Sequence, residues 1–473
     1  MRYFSTRGQA EPRDFGGVLL AGLGEDGGLF MPETWPERSA AEWRRLRDLP
    51  YAELAAQVIH PFMGETISLD TLRTLCDRAY AHFDHPARVP LVQLDQNLWV
   101  QELFHGPTLA FKDMALQLLG QLFEHVLTER DETVTIVGAT SGDTGSAAIE
   151  ACRGRARIKI AILHPEGRTS EVQRRQMTTV QASNVFNIAV SGSFDDCQDM
   201  VKGLFADPSF RKDMRLTAVN SINWARIAAQ IPYYVASALA LGAPDRPVAF
   251  AVPTGNFGNV LAAWAARRMG LPISRLIIGS NRNDILTRFL SANDMTARGV
   301  EPSLSPSMDI QVSSNFERLL FELLGRDAAE TARIMQDFRR TGHMPVPDAA
   351  WHQAASLFQG LALSDGETTS AIRAIHASTG YLADPHTAIG IQAARHAHLT
   401  EPAPVVAMAT AHPAKFPDAV QAATGIRPSL PPRLAHLMTA EERLTRAPND
   451  LAAVDALIRS FVGRNAQPEG ISP

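Results

Sequence analysis

Thr133-Val-Thr-Ile-Val-Gly-Ala-Thr-Ser-Gly-Asp-Thr-Gly-Ser-Ala-Ala-Ile-Glu-Ala-Cys152 is the segment on which the fold turns. Residues 133–137 are β-branched throughout and read as a short buried strand. Residues 138–145 form a glycine-rich turn, and 146–152 then read as a helix. A strand that runs through glycine into a helix is the local mark of a βαβ unit. The pattern recurs on both sides. Residues 98–103 read as a strand and 114–127 as an amphipathic helix. Residues 158–163 are a strand that ends at His164-Pro165, and His164 is given no role. Residues 247–252 run as a strand into Thr254-Gly255, and 275–279 and 405–409 are further apolar strands. Such alternation predicts an α/β fold around a buried, largely parallel sheet. In such folds ligands bind beyond the carboxyl ends of the strands, which is where these glycine-rich turns fall.

The rest of the chain frames this region. At ~100–200 residues per domain, 473 residues imply two to four structural units. Residues 1–90 hold short helical patterns at 40–49 and 69–83, and the prolines of His85-Pro-Ala-Arg-Val-Pro90 mark a boundary. We therefore expect an N-terminal domain over 1–90, a catalytic region over 91–438 and a helical tail over 439–473 that frays from Gly463. The most apolar stretch, 227–241, contains Gln230, Pro232 and two tyrosines and reads as one buried helix. No apolar run approaches the ~20 residues of a membrane span, and no secretory leader is legible. A net charge of −5 offers no global basic field for nucleic acid or anionic membrane. Cys76, Cys152 and Cys197 are far apart and lack zinc or redox spacing, so a reducing, cytoplasmic setting is expected and no metal site.

Three segments carry chemistry. In His105-Gly-Pro-Thr-Leu-Ala-Phe-Lys-Asp113, Lys112 lies between Phe111 and an apolar helix. Apolar surroundings lower a lysine pKa and free the amine to condense with an aldehyde. The same lysine also reads as a surface residue near a helix start. In the turn 138–145, backbone N–H groups and the hydroxyls of Thr140, Ser141 and Thr144 converge beside Gly142 and Asp143. A P-loop needs Gly-Lys-Ser/Thr there, and an acidic residue repels a triphosphate, so a small carboxylate fits better. A plain helix-capping turn is the alternative. In Pro253-Thr-Gly-Asn-Phe-Gly-Asn259, two glycines and two asparagines precede another helix with no cation present, which suits a permanently held phosphate monoester. A lysine for an aldehyde, a phosphate cradle and a carboxylate loop together answer the needs of pyridoxal phosphate and an amino-acid substrate. A dinucleotide fold would show Gly-x-Gly-x-x-Gly after its first strand, and none of these loops does.

The order Phe-Lys-Asp, Thr-Ser-Gly-Asp-Thr-Gly, Gly-Asn-Phe-Gly-Asn resembles fold-type-II pyridoxal-phosphate enzymes, and more narrowly the threonine synthase family. Tyr3-Phe-Ser-Thr-Arg-Gly8, Asp26-Gly-Gly-Leu-Phe-Met-Pro32, Asn220-Ser-Ile-Asn-Trp-Ala-Arg226, Gln311-Val-Ser-Ser-Asn-Phe-Glu-Arg318, Asp384-Pro-His-Thr387 and Thr410-Ala-His-Pro-Ala-Lys-Phe416 extend the resemblance over nearly the whole chain. It implies two open, twisted, mostly parallel sheets flanked by helices, plus a small N-terminal domain. It also implies that Lys112 bears pyridoxal 5'-phosphate and then acts as base and acid. Gly255, Asn256, Phe257, Gly258 and Asn259 would cradle the cofactor phosphate, and Thr410 would face the pyridine nitrogen. Thr140, Ser141, Gly142, Asp143 and Thr144 would take the substrate carboxylate. Arg226 and Lys415 are the candidates for a substrate phosphate, with Asn223, Asn315 and Arg318 behind them. For Arg226 a structural salt bridge, and for Lys415 a solvated loop lysine, remain open. Asp384 and His386 read better as the start of a turn and helix. The implied activity is a carbon–oxygen lyase reaction in which a monomeric enzyme converts O-phospho-L-homoserine and water to L-threonine and phosphate. A serine or threonine dehydratase of the same fold, and a non-catalytic paralogue, are the rivals.

Overall fold

The computed structural model describes residues 1–217 and 219–464. The chain gathers into two compact units. One comprises Met1–Leu118 and Ser221–Ser429; the other comprises Leu119–Asn220 and the segment from Leu430 onward. Residues 1–90 thus lie wholly in the first unit and 439–464 in the second, while 91–438 contributes to both. The expected tail beyond residue 464 lies outside the described residues.

The first unit is built on a six-stranded sheet in the order Phe358–Ala362, Ile273–Ser280, Val248–Pro253, Val405–Ala409, Leu98–Glu102, Leu91–Asp95. Neighbours are parallel except the last pair. Ala251 is level with Ile277 and Ala407, and Ala407 with Val100; all four side chains are fully buried. Near-continuous apolar strands of this kind suit a parallel sheet covered on both faces. The helix Pro385–His398 supplies Ala388, Ile389 and Ile391 to the same core.

Parallel strands in register end together, and this register positions the site. Pro253 is level with Gly279, and Ala409 with Glu102, so segments 254–259, 410–415 and 103–112 all leave one edge of the sheet. The chain order runs outward from Val248–Pro253 through Ile273–Ser280 to Phe358–Ala362, then re-enters on the other side at Val405–Ala409. That reversal opens a crevice between the carboxyl ends of Val248–Pro253 and Val405–Ala409, the switch point at which α/β sheets bind ligands.

The second unit holds an all-parallel sheet in the order Thr445–Ala447, Val185–Val190, Ile158–Pro165, Val134–Ala139, Leu216–Thr217. The 140–145 turn leaves its carboxyl edge and leads into the helix Asp143–Cys152.

Several local expectations are corrected. The stretch 227–241 is two helices, Trp224–Ala228 and Ile231–Ala240, because Pro232 lacks an N–H and must stand in a first turn. The region after 439 is not helical throughout: Thr445–Ala447 pairs with Val185–Val190 before the helix Leu451–Arg464. The helix expected at 114–127 begins at Lys112 and runs to Glu129, with its first turns buried on every side rather than amphipathic.

Among the described residues no helix is long and apolar enough to cross a membrane. All three cysteines are free and buried. Burial pushes the Cys152 thiol up to about 12 and Cys197 up to about 11, and raises Cys76 as well. The thiolate is the nucleophile, so native protein is expected to leave an aromatic disulfide reagent unreacted at pH 8. The same protein in denaturant should release three equivalents of chromophore. Rapid reaction of the native chain would contradict the buried placement.

Candidate active site

The lysine loop is fixed from below before its lysine is presented. The Asp113 carboxylate, fully buried, accepts from Thr108 N and Thr108 Oγ1, both at 2.7 Å. Phe111 N donates to Thr410 O at 2.8 Å and His412 N to Leu109 O at 3.0 Å, and Ala110 bridges Ala411. These bonds lash the lysine loop to the segment that leaves Val405–Ala409, so Lys112 and Thr410 are brought together. Thr410 is buried, with its N–H on Thr387 Oγ1 at 3.2 Å.

Lys112 is 9 % exposed. Its Nζ lies 5.4 Å from the Phe111 ring centre and 3.3 Å from Ser307 Oγ. The surface-lysine reading is therefore overturned. The chain contains only five lysines, at 112, 159, 202, 212 and 415. Lys202 and Lys212 are exposed and Lys159 is half-buried with its ammonium on Val462 O. Only Lys112 and Lys415 are buried, and Lys415 Nζ donates to Thr108 O at 2.8 Å with no exposed surface. Lys415 is thus not a solvated loop lysine; it stands under the lysine loop.

The 255–259 turn enters the helix Gly258–Arg268 without any side-chain cap, through Phe257 in a left-handed conformation (φ 64°). An uncapped first turn directs free N–H groups and the positive end of the helix dipole outward, as an anion site requires. Asn259 adds to it. Its Oδ1 accepts from the hydroxyls of Tyr233 and Tyr234, while its buried Nδ2 has no partner among the described residues. A buried amide donor left open costs about 1–3 kcal/mol unless a ligand meets it. The turn is braced from behind: Ser313 Oγ donates to Gly255 O at 2.7 Å, and Asn315 N and Nδ2 both donate to Asn256 O at 3.1 Å. Arg318, fully buried, bonds Asn315 Oδ1, Phe30 O and Ile222 O. Burial lowers its pKa to about 9. The residues present therefore fit a phosphate-bearing aldehyde cofactor: an open anion turn, a buried amine and a hydroxyl residue around one crevice.

The other expected residues are held as follows. Asn315 and Arg318 are engaged with main-chain carbonyls behind the phosphate turn. Asn223 caps the helix Trp224–Ala228 through Ala225 N and donates to Leu19 O. Arg226 is buried in that helix, and burial draws its pKa to about 10. The 140–145 turn belongs to the second unit. There Thr140 Oγ1 accepts from Gly142 N and Gly145 N, Gly142 holds φ 148°, and Gln173 Nε2 donates to Asp143 Oδ1 at 2.7 Å. Ser141 is exposed and Thr144 half-buried at its tip. Asp384 caps the helix Pro385–His398, as the turn-and-helix reading requires. Sequence reasoning missed Ser307, the tyrosine pair and Gln173. Ser307 stands in a serine-rich loop without periodicity, and the tyrosines were absorbed in an apolar run.

A doubly built α/β fold with a buried lysine and an uncapped phosphate turn at its switch point defines a pyridoxal-phosphate-dependent enzyme of fold type II. The family model for pyridoxal-phosphate dependent enzymes matches residues 83–350, and those for the threonine synthase N terminus and C-terminal region match 2–80 and 387–458. The threonine synthase of Pseudomonas aeruginosa is 55% identical over 465 residues, covering 98% of this chain and 99% of its own. The pyridoxal-phosphate-bound threonine synthase structure from Brucella melitensis superposes with a TM-score of 0.95 at 50% identity, covering 98% of this chain and 99% of that one. The yeast threonine synthase structure gives 0.92 at 38% identity, with coverage of 98% and 99%. The chain belongs to the threonine synthase family.

Proposed function

We propose that the chain converts O-phospho-L-homoserine and water to L-threonine and inorganic phosphate, with Lys112 as the residue that moves the protons. The observation that carries this reading is Asn259 Nδ2, buried and without a partner among the described residues, in an uncapped turn on the same crevice as a buried lysine. Residues 255–259 would hold the cofactor phosphate through backbone N–H groups and Asn259, and Thr410 would be the hydroxyl partner of the ring nitrogen. When bound, pyridoxal phosphate supplies an electron sink for charge at the substrate Cα and Cβ.

Lys112 Nζ takes the proton from Cα and gives it up before it takes one from Cβ as phosphate leaves Cγ; it then returns the Cβ proton to Cγ. Water adds its hydroxyl at Cβ, its remaining proton goes to the departed phosphate, and Lys112 returns a proton to Cα. One amine serving three carbons requires the substrate to be held at both anionic ends. Thr140, Ser141, Gly142, Asp143 and Thr144 would hold the carboxylate through main-chain N–H groups and hydroxyls, with the Asp143 side chain tied back by Gln173 so that the turn keeps its shape. Lys415 and Arg226 are the cations for the phosphate. As a carbon–oxygen lyase, the enzyme should release phosphate and form threonine in equal amounts. Ammonia and a 2-oxo acid instead would make it a dehydratase.

Gln173→Leu tests the carboxylate turn. Removing the amide that donates to Asp143 Oδ1 is expected to raise KM about tenfold, equivalent to about 1.4 kcal/mol of ground-state and transition-state binding alike. The absorbance of bound cofactor should be unchanged. A wild-type KM would separate the 140–145 turn from substrate binding.

A further inference from the structure

We propose that Ser307 holds the Lys112 amine in its working orientation and that Asp384 and His386 stand behind it as a positioning pair. The proposal rests on the reading of Lys112 as the cofactor-bearing lysine and adds to it the means by which that amine is aimed.

Ser307 Oγ is 3.3 Å from Lys112 Nζ. Ser307 sits in the short 3-10 turn Pro306–Met308 rather than in a strand or an α-helix. Two anchors fix it. On the C-terminal side, Asp309 Oδ1 accepts from Asn281 Nδ2 at 2.8 Å and Ser303 Oγ at 2.6 Å, and Oδ2 accepts from Ser303 N at 3.0 Å. At Ser307 itself, the main-chain N–H donates to His386 Nε2 at 3.3 Å.

His386 accepts at Nε2 because its other nitrogen is committed. Nδ1 faces Asp384 Oδ2 at 2.7 Å, so the carboxylate takes the ring N–H and leaves the Nε2 lone pair for Ser307. The Asp384 carboxylate also receives Thr387 N and His386 N at 3.0 Å as helix cap. Asp384 is fully buried, His386 is 3 % exposed, and the imidazole packs on Phe416 at 4.9 Å. Capping a helix requires only the carboxylate. A buried histidine carried on that cap, with its far nitrogen turned to a loop 79 residues away, is more than capping needs.

The consequence falls on the lysine. A lysine side chain has many rotamers, and its reach is useful only if the amine returns to one place each time it is released. A hydroxyl oxygen that accepts one N–H fixes rotation about the Cε–Nζ bond and so fixes where the lone pair points. Ser307 supplies that oxygen, and His386 with Asp384 sets where it stands.

The test compares Ser307→Ala, Ser307→Thr, His386→Leu, His386→Gln and the double Ser307→Ala/His386→Leu variant with wild type. Three quantities are read. They are the stopped-flow rate at which cofactor-stripped protein attaches added pyridoxal phosphate, kcat against KM with O-phospho-L-homoserine, and Tm. Ser307→Ala and His386→Leu should each slow attachment and lower kcat by about ten- to a hundredfold, with KM within about threefold. The conservative Ser307→Thr and His386→Gln variants, which keep an acceptor, should recover most of both rates. The double variant should be no slower than the slower single one, since both act through one contact. Wild-type attachment and turnover in Ser307→Ala, or losses that multiply in the double variant, overturn the proposal. If His386→Leu fails to fold, the Ser307→Ala and Ser307→Thr comparison decides. Lys112→Ala is the control: covalent attachment that persists there sinks the lysine reading itself, whereas Lys112-dependent attachment indifferent to Ser307 sinks only this inference.

Discussion

Lys112→Ala is expected to lower turnover by about 10⁴-fold or more, because in the proposed mechanism Lys112 is both the covalent anchor of the cofactor and the general base. The fold should survive. Lys112 stands at the first position of its helix, where alanine is well tolerated. The Asp113–Thr108 bonds and the Phe111–Thr410 bond that shape the loop do not involve its side chain. Steady-state phosphate release and a thermal melt check both halves. A variant that melts with wild type and has lost turnover places the effect in chemistry. A variant that retains a tenth of wild-type turnover would remove Lys112 from the mechanism.

The second large effect is expected at Gly255. A β-carbon there would stand 2.9 Å from Ser307 O, 3.1 Å from Ile310 Cδ1 and 3.2 Å from Met308 Cα. Two of those three atoms are main chain and cannot turn aside. The added bulk of valine must displace either the phosphate turn or the segment that carries Ser307. Gly255→Val should therefore weaken pyridoxal-phosphate binding at least about a hundredfold, or about 2.8 kcal/mol at 1.4 kcal/mol per tenfold. Gly366 is exposed in the helix Asp365–Thr379, and a β-carbon there would meet nothing within 4 Å, so Gly366→Val is the matched control. Equal cofactor affinity in the two variants would contradict the tight packing behind the turn.

Much of this was legible from residues alone because strand, glycine turn and helix follow one another in sequence. Residues 133–152, 98–127 and 247–259 each carry their own fold signal, and local order suffices to place a lysine and a phosphate turn beyond strand ends. The strands Val185–Val190, Phe358–Ala362 and Thr445–Ala447 were not legible. The third is three residues long and gains its stability only by pairing with Val185–Val190, a partner hundreds of positions earlier. The division into units was hidden for the same reason, since each unit is assembled from two separate stretches of chain. Arg318 and Asn315 stood out as polar residues near a motif, yet their partners are carbonyls of Phe30, Ile222 and Asn256, which no spacing rule reveals. Ser307 was missed because a loop serine has no periodicity to betray it.

The most direct test of the account is to reduce the cofactor-loaded protein with borohydride, digest it and locate the pyridoxyl group by peptide mass. Among five lysines, two are buried and only Lys112 lies beside Ser307 on the loop lashed to Thr410. One pyridoxyl group per chain is expected, on the peptide containing Lys112, with Lys415 unlabelled. A label on Lys415 or an exposed lysine, or none after saturation with pyridoxal phosphate, would contradict it.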